Sequence, residues 1–250
     1  MTTEQERNKI EAASEEGMIC SMDRKYCIFD MDGTLVDSMG YWRRLGFEYL
    51  EGKGISEADA ARTMEAVKRL TLSQSAQLFL DTYGLPGTPE DVLMEMRDMM
   101  ERHYRTDVEL KPGIVNYLDE LRARGCRLCV ATATDERLAH ICLERLGIDD
   151  KFEFLLSCQT TGIGKEHPHI YLLATVRWDC QPEEAAVFED ALYAAQTAKA
   201  AGFYTVAVWD RTQVLEWTEL TDLADEAVKD WRDLLPFGLI GSDSDHFTKD

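Results

Sequence analysis

The segment CIFDMDGTLVDS, residues 27–38, sets two carboxylates one residue apart, Asp30 and Asp32, at the end of an apolar run and follows them at once with Gly33 and Thr34. Side chains of an extended chain alternate with period two, so both carboxylates are expected on one side of the backbone. Two neighbouring carboxylates stay ionised together only if a cation neutralises them; otherwise one keeps its proton. Mg2+ suits the pair, because it takes oxygen ligands and retains waters beside one or two carboxylates. Gly33 permits a tight bend and a close main-chain approach to an anion. A calcium loop of the EF-hand type is excluded, since its sixth and twelfth positions carry Leu35 and Tyr41 where Gly and Glu are needed.

Other polar groups stand at matching places. Apolar runs in CRLCVAT, FEFLLS, AAVFED and YTVAVW alternate with helix-length segments, which predicts a parallel sheet with helices on both faces. The expected fold class is therefore α/β, a doubly wound Rossmann-like sheet, and ligands of such sheets gather at the carboxyl ends of the strands. Those ends carry Asp30 and Asp32, then Thr132, then Glu189 and Asp190, while Lys165 lies in the loop region after FEFLLS. Alone, Lys165 reads as a solvated lysine and Glu189-Asp190 as acids at a helix start. Convergence on one edge makes them a candidate site.

Between the first strand and the rest, four successive helical patterns run through residues 40–105, with Ser56, Thr71 and Thr88 as N-terminal caps. The expected organisation is an N-terminal extension (1–24), a core made of 25–38 and 108–237, a helical cap inserted at 39–107, and a tail at 238–250. A short last strand and a closing helix are expected within TDLADEAVKDWRDLLPFG. Asp37 reads as a helix-start or hinge residue, and Tyr41, Trp42 and Arg43 either reach toward a substrate or pack within the insert.

Composition narrows the partners. A net charge of −20 over 250 residues argues against nucleic acid, which is held mainly by clustered Lys and Arg. No apolar run approaches the ~20 residues that span a bilayer. The acidic first residues lack a secretory pattern, and seven cysteines without one suggest reduced thiols and a cytoplasmic location. Cys126 and Cys129 have CxxC spacing, but in a strand they face opposite sides, so two core thiols are expected.

DMDGTLVDS, Thr132 in VATAT, Lys165 in GIGKEHPHIY, and FEDALYAAQTAKAAGF together resemble the four motifs of the haloacid dehalogenase superfamily, in order and spacing. The likeness is to its helical-cap phosphatases, of the phosphoglycolate phosphatase and beta-phosphoglucomutase kind. The resemblance implies that Asp30 is a nucleophile forming an aspartyl phosphate, and that Asp32 is the general acid and then base. It implies phosphoryl contacts at Gly33, Thr132, Ala133 and Lys165, and a Mg2+ site at Asp30, the Asp32 carbonyl, Asp190 and, through water, Glu189. The implied reaction is Mg2+-dependent hydrolysis of a small phosphorylated metabolite, a sugar phosphate being one candidate. A phosphomutase is the alternative enzyme, and a binding protein without turnover the alternative class. A dehalogenase is disfavoured, because that subgroup lacks the acid at Asp32. This chain departs from many relatives in reading Lys165-Glu166-His167-Pro168-His169 at the third motif and Ala191 and Tyr193 in the fourth. His167 and His169 are expected on the loop surface.

Overall fold

The computed structural model describes residues 21–67 and 70–235. Most of the expected N-terminal extension, and the tail, lie outside the described residues. Six strands form one parallel sheet: β1 (Tyr26–Phe29), β2 (Arg127–Thr132), β3 (Phe154–Ser157), β4 (Ala185–Glu189), β5 (Tyr204–Val208) and β6 (Glu226–Val228), in the order β3-β2-β1-β4-β5-β6. The chain winds from β1 outward to β3, then returns to pair β4 with the other side of β1. That reversal is the switch point at which such sheets open a crevice beyond their carboxyl ends.

The strands bury both faces, as a sheet covered by helices must. Phe29, Val130 and Phe188 enter the larger core on one face, whereas Ile28, Cys129 and Val187 enter the core on the other. Phe29 stacks on Phe188 at 4.2 Å, fixing β1 against β4 on that face. The period-two alternation also separates the CxxC thiols as expected: Cys129 is fully buried in one core, while Cys126 packs half-buried against the other, beside Cys27. Cys126 is therefore less enclosed than a core thiol, because it precedes β2 and is not part of it.

Between β1 and β2 the chain forms α1 (Met39–Gly52), α2 (Glu57–Val67), α3 (Leu72–Tyr83), α4 (Pro89–Thr106) and α5 (Ile114–Ala123). The expected caps at Thr71 and Thr88 are capping boxes, in which each threonine hydroxyl accepts from the backbone amide of Gln74 or Asp91 and each threonine amide donates to that residue's side chain. Such caps contribute about 1 kcal/mol each. Ser56 likewise accepts from the Asp59 amide. The remaining helices are α6 (Glu136–Arg145), α7 (Cys158–Thr161), α8 (His169–Trp178), α9 (Leu192–Ala200) and α10 (Trp217–Leu223).

The last segment differs from expectation. A short strand, β6, is present, but α10 precedes it, and the last element among the described residues is a single 3-10 turn, Trp231–Leu234. Its role is packing: the Trp231 ring lies 4.9 Å from Tyr117 and 6.0 Å from Phe29, sealing the end of the larger core. Four residues closed by the Asp230 side chain on the Arg232 amide are too few for an α-helix.

Two contacts tie the end of α4 to the sheet-side helix α6. Arg145 Nε donates to the Tyr104 carbonyl at 2.7 Å, and Arg137 pairs with Glu101 at 2.6 Å. These hold Tyr104 over the carboxyl ends of β1 and β2.

Candidate active site

Strand register brings the expected residues to one edge. Phe29 pairs with Val130 on one side and Phe188 on the other, so Asp30, immediately beyond β1, stands level with the ends of β2 and β4. The Asp30 amide continues the ladder by donating to the Phe188 carbonyl at 3.0 Å. The chain then folds back, because the Leu35 and Val36 amides both bond to the Met31 carbonyl. Gly33 takes φ +89° in this turn, and a Cβ there would lie 2.3 Å from Asp190 Oδ2. Glycine is required on both counts, conformation and close approach.

Asp30, Lys165, Glu189 and Asp190 are all buried, at 6, 3, 1 and 3 % exposure. Lys165 Nζ bonds to Asp30 and, at 2.7 Å, to Glu189 Oε1, which also accepts from the Tyr171 hydroxyl at 2.7 Å. Burial pushes the Asp30 carboxyl up to about 8, against the pull of Lys165. Asp190 is raised as well, by burial and then by the charges of Asp30 and Glu189. Burial disfavours the Lys165 ammonium, but the Asp30 and Glu189 carboxylates outweigh it and hold its pKa above the ordinary lysine value. The pocket thus sets three buried carboxyl groups against one ammonium.

That set fits a divalent cation. Carboxylate oxygens of Asp30, Glu189 and Asp190 lie within 4.8 Å of one another, and Asp190 Oδ2 is buried without a hydrogen-bond partner. An all-oxygen set with an unused oxygen facing the space left by Gly33 is the donor chemistry Mg2+ takes. The Asp32 carboxylate is outside this cluster.

Asp32 turns the other way. Its Oδ1 accepts from Ser38 Oγ at 2.6 Å, Tyr104 Oη at 2.5 Å and Trp42 Nε1 at 3.3 Å, and its Oδ2 accepts from Thr134 Oγ1 at 2.7 Å. The shared-cation reading of the two carboxylates is corrected here: β1 ends at Phe29, and past it the turn divides them, Asp30 toward Lys165 and Asp32 toward the helical insert. Burial and the Asp32 charge push the Tyr104 phenol well above its ordinary value, so it remains a donor.

Thr132 is fully buried and its Oγ1 accepts from the Thr134 amide at 3.0 Å, bracing the loop on which Ala133 and Thr134 face the cavity. Tyr104 and Thr134 were not singled out by sequence. Thr134 had a signal, standing two residues beyond Thr132 at a strand end; Tyr104 had none, being one aromatic residue in an amphipathic helix. Trp42, weighed between substrate and packing roles, reaches Asp32. Asp37 opens the passage into α1 and lies 3.5 Å from Arg211. His167 and His169 are exposed, with rings 6.1 Å apart, and neither belongs to a metal-ligating cluster among the described residues.

Above the carboxylates opens a cavity of about 470 Å³, bounded by Asp30, Asp32, Thr134, Lys165 and Asp190 below and by insert residues above.

Residues 25–202 match the family described as haloacid dehalogenase-like hydrolase. The chain belongs to that family and is an enzyme of the hydrolase class. It is 28 % identical to a phosphorylated carbohydrates phosphatase of Thermotoga maritima, over 70 % of this chain and 80 % of that one. It is also 28 % identical to the fructose-1-phosphate phosphatase YqaB of Escherichia coli, over 72 % and 94 % of the two chains. Among solved structures, a putative beta-phosphoglucomutase from Thermotoga maritima superposes with a TM-score of 0.68 at 25 % identity, covering 84 % of this chain and 96 % of the other. No helix among the described residues is long and apolar enough to cross a membrane.

Proposed function

We propose that the protein is a Mg2+-dependent phosphatase of small organic phosphomonoesters, acting through a phosphorylated Asp30. One observation carries the reading: a buried carboxylate at the switch point of the sheet, bonded to a buried lysine and grouped with two further carboxylates at the base of a cavity. The phosphatase names of its relatives support it.

In this reading an Asp30 oxygen attacks phosphorus, the bond to the ester oxygen breaks, and Asp32 gives that oxygen its proton. Asp32, now a carboxylate, takes a proton from water as the water oxygen attacks the phosphorus of phospho-Asp30, which releases inorganic phosphate and restores Asp30. Lys165 faces the nucleophile and neutralises charge on the phosphoryl oxygens, and the loop from Thr132 to Thr134 contributes donors. Glu189 and Tyr171 hold Lys165 in place. Asp30 and Asp190, with Glu189 at one remove, would hold the Mg2+, which supplies charge neutralisation between an anionic nucleophile and an anionic substrate. Residues 39–107 act as the cap over the core formed by 25–38 and 108–237, excluding water while the phosphoryl group is transferred.

The test is phosphate release from a panel of phosphomonoesters, with and without Mg2+, beside Asp30→Asn. Metal-dependent release lost in the variant supports the reading. Interconversion of glucose 1- and 6-phosphates without release would replace it by the mutase, and silence in both assays would leave a binding protein.

A further inference from the structure

The wall that the insert presents to the cavity is apolar. Leu45, Leu72, Leu93, Met96 and the Trp42 ring line it, and Leu138 of α6 continues it from the sheet side. The Trp42 indole N–H is already committed to Asp32 and Tyr104. Leu72, 67 % exposed, stands at the mouth of this wall, where a ligand's hydrocarbon could cover it. One cation of the insert lines the same cavity, Arg97, and among the described residues it has no carboxylate partner. Arg97 is exposed, and an anion bound in a cavity otherwise lined by acids would find it as the cation on the insert side.

The relatives named above act, by name, on phosphorylated carbohydrates and fructose 1-phosphate. A polyhydroxylated alcohol laid along this wall would lose hydrogen bonds to water that leucine and methionine cannot replace, the polar lining residues Asp135, Gln159, Tyr193 and Gln213 belonging to the core side of the cavity, whereas a hydrocarbon chain would lose none. We propose that the preferred substrate is a phosphomonoester whose alcohol portion is predominantly apolar and ends in an anionic group that pairs with Arg97. The phosphate lies at Asp30 and Lys165, the hydrocarbon along the leucine wall, and the distal anion at the arginine. This rests on the phosphatase reading and narrows its substrate class.

Three primary six-carbon phosphates test it, because their leaving groups are alike: hexyl phosphate, 6-phosphonooxyhexanoate and glucose 6-phosphate, with p-nitrophenyl phosphate as an activated ester. The expected kcat/KM for hexyl phosphate exceeds that for glucose 6-phosphate by at least about tenfold. The carboxylate-bearing ester gains a further factor of about threefold or more. Arg97→Gln removes that further factor, and Leu72→Gln, at a site exposed enough to spare folding, narrows the first. Asp30-dependent turnover that favours glucose 6-phosphate overturns the inference and leaves the phosphatase standing. A carboxylate advantage that survives Arg97→Gln overturns the assignment of the anion site. No release from any ester, p-nitrophenyl phosphate included, overturns both.

Discussion

Tyr104, at the end of the long helix α4, donates its phenolic hydrogen to Asp32 Oδ1 at 2.5 Å, so the insert touches a carboxylate that the sheet edge supplies to the cavity. Trp42 Nε1 lies 3.0 Å from the same phenol oxygen, and Thr134 approaches from the opposite wall. Position of the insert and orientation of Asp32 are thereby coupled.

Tyr104→Phe keeps the buried ring and removes one charge-assisted hydrogen bond, worth about 1.5–3 kcal/mol. The expected result is a fall in kcat of about tenfold or more for alkyl phosphates, with little change in KM. For p-nitrophenyl phosphate, whose leaving group needs no proton, the fall is smaller. Steady-state kinetics on both esters check it; equal losses would reduce Tyr104 to packing.

Lys165→Met leaves Asp30 and Glu189 buried without their ammonium. Breaking such a pair costs about 3–5 kcal/mol, so the melting temperature drops and phosphatase activity disappears. Added Mg2+ recovers part of the lost melting temperature, and the double variant with Asp190→Asn recovers less. Calorimetry with chelator and with Mg2+ reads both effects.

Gly33→Ala forces a side chain onto a φ of +89° and into Asp190 Oδ2. A stability loss of about 1–3 kcal/mol is expected from the backbone alone. Mg2+ affinity falls too, because Asp190 must move; denaturant unfolding and titration calorimetry separate the two.

His103 bridges Glu48 on α1 and Asp107, at 2.9 and 2.7 Å. Burial of the ring opposes its charge, but the two carboxylates outweigh it and raise the pKa above the ordinary value. A raised folded-state pKa gives stabilisation that is complete below the unfolded value, about 6.5, and lost as pH rises through the folded one. The melting temperature of the protein is therefore expected to fall more between about pH 6 and pH 8.5 than that of His103→Gln, as thermal melts across that range will measure.

The sheet edge was readable in the chain because its signals are local. Period-two burial marks strands, and an apolar strand ending in Asp30 marks a carboxylate at the carboxyl end wherever that strand lies in the sheet. The threonine caps of α3 and α4 were equally legible, since a cap bonds within three residues of itself. Three such ends and a loop lysine, in order, carry the resemblance by which the family was named.

What sequence could not supply is which way each side chain turns once the strand has ended. The backbone bonds to Met31 split Asp30 from Asp32, and the contacts at Asp32 span 6, 10, 72 and 102 residues along the chain. The contact to Tyr104 carries no pattern in its neighbourhood, and the one to Thr134 only that residue's place two positions past a strand end, because both exist only where α4 and the loop after β2 meet above β1. The same packing decided the leucine wall and the place of Arg97 beside it: helical periodicity shows that a face is apolar, and only tertiary structure decides whether that face meets a core or a cavity.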